Sequence, residues 1–165
     1  MPPSYLKNSQ DDLNRMRISI ACDHRGYSLK EELKAFLSKE GFAVEDKGTS
    51  SEESVDYPDF GSLVAQQVSS GSCECGILIC STGIGMSIVA NKFPRVRAAL
   101  CSDVETARQC REHIDANVLV LAGSQIKGEA ARVITKTWLE TPFQGGRHQR
   151  RLDKITSLEM QLFKI

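Results

Sequence analysis

The sequence has no excess of charge of either sign and no long hydrophobic run. Its 21 Lys and Arg residues balance 21 Asp and Glu residues, and 41% of the 165 residues are hydrophobic. A neutral protein has no general electrostatic attraction to nucleic acid or to an anionic membrane surface. No apolar stretch reaches the length of a membrane-spanning helix, and the N-terminus lacks the apolar core of a secretory signal. We therefore expect neither nucleic acid nor a membrane as a partner.

The sequence also lacks the spacings that hold metals or form disulfide frameworks. It has only three histidines, and its six cysteines include no Cys-x-x-Cys pair. No combination of His and Cys has the ligand spacing of a structural zinc site. We predict a reduced, cytoplasmic protein with no metal and no cofactor. Most of the cysteines lie in or beside apolar segments: Cys22, Cys73, Cys75, Cys80, Cys101 and Cys110.

Short apolar segments alternate with segments of helical period along most of the chain. Continuous apolar runs rich in β-branched residues are typical of strands buried on both faces of a sheet. Alternation of such strands with helices favours a parallel sheet covered on both sides. We predict an α/β fold, a Rossmann-like three-layer α/β/α sandwich with a five-stranded parallel sheet. The predicted strands cover residues 17–22, 42–45, 76–80, 96–100 and 117–122.

Six helices are predicted between and after the strands. Two of them open on apparent capping boxes, over Ser28–Glu31 and Ser102–Glu105. The last is amphipathic, covers residues 149–162 and follows a pair of glycines. We predict that residues 17–165 form a single domain and that residues 1–16 are a disordered tail or a non-native extension.

Polar residues follow several predicted strands, at the edge where sheets of this kind bind ligands. Asp23 and His24 come directly after the first strand, and a long polar loop over 46–58 follows the second. Taken alone, Asp23 is more often a helix cap and His24 a surface side chain. Their position at a strand exit favours contact with a ligand, and long loops in compact domains are often functional.

A glycine-rich turn follows the third predicted strand. Gly83 and Gly85 permit positive φ angles and close backbone approach. Successive N–H groups can therefore point into one concavity at a helix N-terminus and favour a negative charge there. Cys80 would lie at the rim, where N–H donors favour the thiolate. On spacing alone, a phosphate-binding turn beside an uninvolved cysteine is the favoured interpretation, and a reactive thiolate is the alternative.

Three residues near predicted helix ends could transfer a proton or bind a phosphate, but each has a simpler explanation. His113 lies near a helix end, where a histidine more often offsets the helix dipole. Arg147 and Arg151 are one helical turn apart and could bind one phosphate together. A solvated basic surface is the simpler interpretation of both arginines.

Taken together, these motifs resemble the ribose/galactose isomerase family of sugar-phosphate isomerases. The resemblance runs in order from about Arg17 to about Glu159. Many separate motifs at family-like spacing make it highly specific. The matching segments are Ala21–His24, Asp46–Thr49, Asp56–Pro58, Gly76–Gly85, Ala90–Phe93, Arg97–Ala98, His113–Leu119 and Gly145–His148.

The resemblance implies a metal-independent enzyme that interconverts an aldose and a ketose phosphate through a cis-enediolate. Ribose 5-phosphate and ribulose 5-phosphate are the favoured pair, which belongs to the pentose phosphate pathway. The alternatives are a six-carbon sugar phosphate (allose or galactose 6-phosphate) and a non-catalytic sugar-phosphate-binding module. The resemblance also implies the strand order 2-1-3-5-4 and a homodimer or tetramer with shared active sites at subunit boundaries.

The resemblance also assigns roles to individual residues. Cys80 would be the base that moves a proton between C1 and C2. Thr82 and His113 would assist opening of the furanose ring, with His113 as the proton donor. The remaining residues would hold the substrate. Backbone N–H groups of Ser81, Gly83, Ile84 and Gly85 would stabilise the oxyanion, Asp23 and Tyr57 would bind sugar hydroxyls, and His24, Arg147 and Arg151 would bind the phosphate.

Three positions depart from the usual pattern of the family. Ser81 stands where glycine is usual, Ile114 where asparagine usually contacts the substrate, and Gln125 where arginine is often found. Ser81 keeps its N–H group but adds a side chain to the turn. Ile114 and Gln125 remove polar groups that would bind the sugar, so they leave the identity of the sugar open.

Overall fold

The computed structural model describes residues 16–164. Its strands are β1 (Arg17–Cys22), β2 (Ala43–Asp46), β3 (Cys75–Cys80), β4 (Ala98–Leu100) and β5 (Val118–Ala122). They form one parallel sheet in the order β2-β1-β3-β5-β4. The predicted α/β fold is confirmed, and so is the strand order that the family resemblance implied.

Helices cover both faces of this sheet. Buried side chains of α1, α4 and α5 pack on one face, and those of α2 and α3 pack on the other, which confirms the three layers. The sixth helix, α6, contacts α4. The bounds are α1 (Tyr27–Lys39), α2 (Tyr57–Ser70), α3 (Ile84–Ala90), α4 (Val104–Ile114), α5 (Gly128–Glu140) and α6 (Arg147–Phe163).

The central strand β3 determines where the cysteine of the glycine-rich turn points. All of its residues are buried, as expected for a strand covered on both faces. Side chains alternate along a strand, so Ile77 and Ile79 face the layer of α1 and α5, while Leu78 and Cys80 face the layer of α2 and α3. Cys80 therefore ends the strand on the side from which α3 begins.

α1 and α6 both begin before the positions that the sequence predicted. Ser28 lies inside α1, whose N-cap is Gly26 without a capping side chain. The chain enters α1 from a 3-10 turn over His24–Gly26, and Asp23 caps that turn. The capping box predicted from Ser28 is therefore wrong, because the helix starts before it. α6 begins at Arg147, two residues before the predicted start.

The cap of α4 is one residue away from the predicted one. Asp103, rather than Ser102, is the N-cap residue. Its carboxylate accepts the Thr106 N–H at 2.7 Å, and the Thr106 hydroxyl accepts the Asp103 N–H at 3.3 Å. This reciprocal pair satisfies two N–H groups that the first turn of a helix leaves without backbone partners.

We expect Asp103→Ala to lower the free energy of unfolding by about 1 kcal/mol, the typical cost of losing an N-cap. For a protein of this size, that corresponds to a melting temperature lower by about 2–4 °C. The matched control is Ser102→Ala, which leaves the cap in place. Thermal melts that rank Ser102→Ala as the more damaging change would contradict the assignment of the cap.

Met16, the first described residue, belongs to the core. This residue is 6% exposed, and its sulfur lies 3.5 Å from that of Cys75. It was predicted as part of the tail before residue 17, and the prediction for residues 1–15 lies outside the described residues. Between residues 16 and 164, no helix is long and apolar enough to span a membrane.

Candidate active site

Most of the predicted site residues lie along the carboxyl edge of the sheet. The Asp23 N–H donates to the Ile79 carbonyl at 3.2 Å, so the exits of β1 and β3 are adjacent. The glycine-rich turn follows β3, and Gln125 follows β5. Tyr57 begins α2, and its ring lies against Gly85 of the same turn. This is the edge at which parallel sheets bind ligands.

The Cys80 thiol is held inside the turn that it precedes. It is 5% exposed, and the Gly83 N–H donates to its Sγ at 3.2 Å. The Gly123 N–H donates to the Cys80 carbonyl at 2.8 Å, and the Ser124 hydroxyl donates to the Ser81 carbonyl at 2.6 Å. The exit of β5 therefore fixes the turn after β3. A backbone N–H directed at sulfur favours the charged form of a thiol.

Two positions of the turn require glycine, each for a different structural reason. Gly83 has φ +75°, and a Cβ atom there would overlap the side chain of Leu100. A Cβ atom at Gly85 would lie 2.6 Å from Cζ of Tyr57, so the missing side chain lets the Tyr57 ring lie against the turn. α3 begins at Ile84, and the N–H groups of a first helical turn lack intrahelical partners. The turn thus offers N–H donors beside a thiol and a phenol.

Asp23 has the structural role that the simpler interpretation gave it. Its Oδ1 accepts the N–H groups of Arg25 at 2.9 Å and Gly26 at 3.0 Å, and the residue is 6% exposed. Both bonds use one carboxylate oxygen. Among the side-chain hydrogen bonds of the described residues, none involves Oδ2. A carboxylate can accept at both oxygens, so capping and sugar binding are compatible roles for Asp23.

His24 connects the long polar loop to the site. Its Nδ1 accepts the Val55 N–H at 3.2 Å. A neutral imidazole that accepts at Nδ1 carries its proton on Nε2. His24 therefore has one remaining donor, which suits an anionic ligand.

A buried lysine, to which the sequence prediction gave no role, anchors the start of the same loop. Lys30 is 1% exposed, and its Nζ donates to Asp46 Oδ2 at 2.6 Å and to the Thr49 carbonyl at 2.9 Å. Burial disfavours the carboxylate of Asp46, but the hydrogen bonds from Lys30 and Lys34 outweigh it and lower the pKa of Asp46. The segment Asp46–Thr49 was recognised as a family motif, but its sequence gives no sign of the lysine that holds it.

Burial keeps several other cysteines in the thiol form. It raises the pKa of Cys22 and of Cys75 to about 12, and that of Cys73 to about 11. Desolvation disfavours a thiolate unless a donor or a positive charge compensates. Cys80 differs from these three in receiving a backbone N–H from a turn at a helix N-terminus.

The other predicted site residues lie at the opposite, amino edge of the sheet. α4 leaves the carboxyl end of β4 and returns to the amino end of β5, so His113 and Ile114 stand just before β5. The Gly76 N–H donates to the Asn117 carbonyl near the beginning of β3, whereas Cys80 ends that strand. At about 3.3 Å per residue, β3 spans about 17 Å. Within one chain, His113 and Cys80 are therefore held at opposite edges.

Arg147 and Arg151 share this amino edge with His113. The Gln144 N–H donates to the Glu112 carbonyl at 3.1 Å, which places the entry to α6 against the end of α4. Both arginines are exposed on the first turns of α6. The rings of His113 and His148 stack with centroids 4.3 Å apart. The structure thus groups one histidine and two arginines, but away from the thiol.

Ion pairs stabilise the end of α4 that carries His113. Asp115 has φ 48° and ends the helix. Its carboxylate pairs with Arg97 at 3.0 Å and with Arg111 at 2.8 Å. Arg97 belongs to a matched motif, but the sequence gave no role to it or to Arg111. Ile114, the last residue of α4, is 46% exposed.

The fold and the turn are those of a Rossmann-like α/β protein with a cysteine at the carboxyl end of the central strand, before a glycine-rich turn. A family model described as Ribose/Galactose Isomerase matches residues 18–155. Ribose-5-phosphate isomerase B of Escherichia coli strain K12 is 47% identical over 146 residues, which make up 88% of this chain and 97% of that protein.

Solved structures give the same result. Ribose-5-phosphate isomerase B of Clostridium thermocellum matches with a TM-score of 0.87 and 51% identity, covering 89% of this chain and 99% of that one. The Mycoplasma genitalium ribose-5-phosphate isomerase B with bound ribulose-5-phosphate matches with a TM-score of 0.84 and 42% identity, covering 87% and 95%. This chain belongs to the ribose/galactose isomerase family, and the prediction of an isomerase is confirmed.

Proposed function

We propose that this protein interconverts ribose 5-phosphate and ribulose 5-phosphate without a metal, at active sites shared between two subunits. One observation carries the proposal of sharing: the thiol turn and the His113, Arg147 and Arg151 group lie at opposite edges of the sheet. A second copy related by a two-fold axis could bring the amino edge of one chain to the carboxyl edge of the other. Such an isologous pair would contain two equivalent sites.

In this proposal the Cys80 thiolate removes the proton from C2 of the open-chain aldose. The electron pair moves towards C1, and the aldehyde oxygen becomes the oxyanion of a cis-enediolate. N–H groups of Ser81, Gly83, Ile84 and Gly85 stabilise that charge, with the N-terminal end of α3 behind them. The thiol then returns the proton to C1, and the proton of the C2 hydroxyl passes to the oxygen on C1, which gives the ketose. The Gly83 N–H lies 3.2 Å from Sγ, so the turn holds the sulfur beside the donors that would stabilise the oxyanion.

Ring opening precedes the proton transfer. The furanose oxygen must gain a proton as it leaves C1, and His113 of the second subunit would supply it. Thr82 would assist at the anomeric oxygen. Its hydroxyl lies 3.4 Å from the Ile84 N–H, on the carboxyl edge where C1 must be for Cys80 to act.

The remaining residues would orient the substrate. Asp23 and Tyr57 would bind sugar hydroxyls, and His24 would bind the phosphate from the subunit that supplies the thiol. Arg147 and Arg151 would bind it from the other subunit, since Arg is well suited to bidentate phosphate contacts. The six free cysteines support a reducing cytoplasmic location as part of this proposal.

A second candidate is an isomerase of allose or galactose 6-phosphate. Ile114 leaves this candidate open, because its exposed side chain beside His113 offers no hydrogen bond that would select one sugar. The bound ribulose-5-phosphate of the Mycoplasma genitalium relative supports the five-carbon substrate.

An isomerase assay on the phosphates of ribose, allose and galactose, with and without a chelator, tests the proposal. We expect ribulose 5-phosphate as the main product, formed at the same rate in chelator. Residues 16–164 contain no group of three His, Cys, Asp or Glu side chains that could hold a metal ion. A preference for a six-carbon sugar would favour the second candidate. Activity lost in chelator and restored by a divalent ion would contradict the metal-free mechanism.

Arg147→Ala or Arg151→Ala should mainly raise KM, because the phosphate lies away from the reacting carbons. Losing one charged contact costs about 1.5–3 kcal/mol, or about 10- to 150-fold in kcat/KM. Part of the loss can appear in kcat, since remote binding energy also orients the sugar. The matched control is Arg150→Ala, an exposed arginine on the same helix. Steady-state kinetics in which all three variants behave like the wild type would show that the phosphate is bound elsewhere.

A further inference from the structure

His148 lies in the first turn of α6 and has no part in the reaction proposed above. Unlike Arg147 before it and Arg151 one turn further on, it is buried, with 4% of its surface exposed. Its ring stacks on that of His113, with centroids 4.3 Å apart and planes within 9°. Its Nε2 accepts the Nε–H of Arg147 at 3.3 Å. One buried imidazole thus contacts both the proposed proton donor and a proposed phosphate ligand.

The hydrogen bond defines the protonation state of His148. A nitrogen that accepts cannot carry a proton, so the neutral ring carries its proton on Nδ1. Nδ1 is buried without a hydrogen-bond partner among residues 16–164. Protonation at Nε2 would break the bond from Arg147 and place two cations side by side. The geometry therefore requires a neutral ring.

The charges around His148 also favour the neutral form of its ring. Burial lowers its pKa, and the positive charges of His113, Arg147 and Arg151 lower it further, while Glu112 opposes them. These groups come from α4 and α6, the two helices that meet at this point. A neutral His148 also suits a charged neighbour, because the face of a neutral aromatic ring attracts a cation and an imidazolium would repel it.

We propose that His148 is a positioning residue that orients the His113 imidazole by stacking and the Arg147 guanidinium by accepting its Nε–H. The bond to Nε leaves both terminal nitrogens of Arg147 free to bind an anion. The stack restricts His113 to one plane without neutralising the proton that it must donate. This inference rests on the proposed roles of His113 and Arg147.

Two substitutions separate the two contacts. His148→Phe keeps a flat ring against His113 but removes the acceptor for Arg147. We expect KM for ribose 5-phosphate to rise about twofold to tenfold, the effect of one lost hydrogen bond, with kcat and its pH profile nearly unchanged. His148→Gln keeps an acceptor near the position of Nε2 but removes the ring. We expect kcat to fall about twofold to tenfold from the lost stacking, with a shifted pH profile of kcat and a smaller change in KM.

His113→Ala and Arg147→Ala distinguish failure of this inference from failure of the proposed function. If those two variants keep wild-type kinetics, the proposed function is wrong. If they lose activity while both His148 variants keep wild-type kcat, KM and pH profile, the positioning role is overturned. If both His148 variants lower kcat and raise KM to the same extent, without a shifted pH profile, His148 contributes packing alone. That result would also overturn the positioning role.

Thermal melts and circular dichroism first establish which variants fold, and one folded variant suffices for the kinetic comparison. A measurement on the wild-type protein does not depend on either His148 variant. In a long-range ¹⁵N–¹H NMR spectrum at neutral pH, we expect His148 as the neutral tautomer protonated on Nδ1. A tautomer protonated on Nε2, or a charged ring, would contradict the hydrogen bond from Arg147 and with it the proposal.

Discussion

We expect Cys80→Ala to reduce isomerisation of ribose 5-phosphate about 10²–10⁴-fold, which leaves it nearly inactive, while the fold and phosphate binding persist. The substitution removes the only sulfur in the turn but none of its backbone donors. A positioned general base contributes about 10²–10⁴-fold, and no other residue of the turn can take the proton. Cys80→Ser should be nearly as inactive, because an alcohol holds its proton far more tightly than a thiol.

The matched control for Cys80 is Cys75→Ala. Both cysteines are buried in β3 but at its two ends and on opposite faces of the sheet, so Cys75→Ala removes a buried sulfur away from the turn. Burial raises the pKa of Cys75 to about 12, which keeps it a thiol at neutral pH. We expect this variant to lose some stability and no activity. Near-normal turnover in Cys80→Ala would refute the assignment of the base.

Patterns confined to a few residues predicted the sheet well. β1 and α5 have the bounds that their apolar periods predicted, over Arg17–Cys22 and Gly128–Glu140. The continuous apolar run before Cys80 identified a strand buried on both faces. These features depend on which side chains are buried, and the hydropathy pattern of the sequence indicates this directly. The turn after Cys80 was predictable for a similar reason, since Gly83 adopts a positive φ that glycine alone adopts freely.

Features that depend on distant parts of the chain were not predictable from local patterns. Both capping boxes fitted their local signature, yet a preceding 3-10 turn moved one helix start, and Asp103 rather than Ser102 caps the other. The exchange of β4 and β5 leaves no trace in periodicity and was known only through the family resemblance. The burial of Lys30 was not predicted either, because its partners Asp46 and Thr49 follow a different strand.

The grouping of the site residues is a consequence of topology. The motifs gave Cys80, His113 and Arg147 roles in one site, but a motif carries no information about which edge of the sheet its residue occupies. Helices that return from the carboxyl edge place His113 and Arg147 at the amino edge. The contact of His148 with both residues likewise depends on the packing of α6 against α4.

The second large effect we expect is recovery of activity from two inactive proteins. Cys80→Ala lacks the base, and His113→Ala lacks the donor that opens the ring, so each alone should be inactive or nearly so. In a mixed two-fold dimer, one site combines both defects. The other combines the intact Cys80 of one chain with the intact His113 of the other. That site should turn over at the wild-type rate.

The expected recovery follows from random pairing. Equal amounts of the two variants, unfolded and refolded together, form mixed dimers in about half of all pairs, and each mixed dimer has one intact site of two. About a quarter of the wild-type activity should therefore return. The variants refolded separately and then combined, without exchange of subunits, provide the control and should stay inactive.

This co-refolding experiment tests the shared site most directly, with mass spectrometry to count the mixed dimers. A shared site predicts activity that rises in proportion to the mixed dimers and reaches about a quarter of the wild-type value at equal mixing. If each site were formed within one chain, every site would keep one defect. Mixed dimers that form in the expected amount without any recovered activity would therefore contradict a shared site.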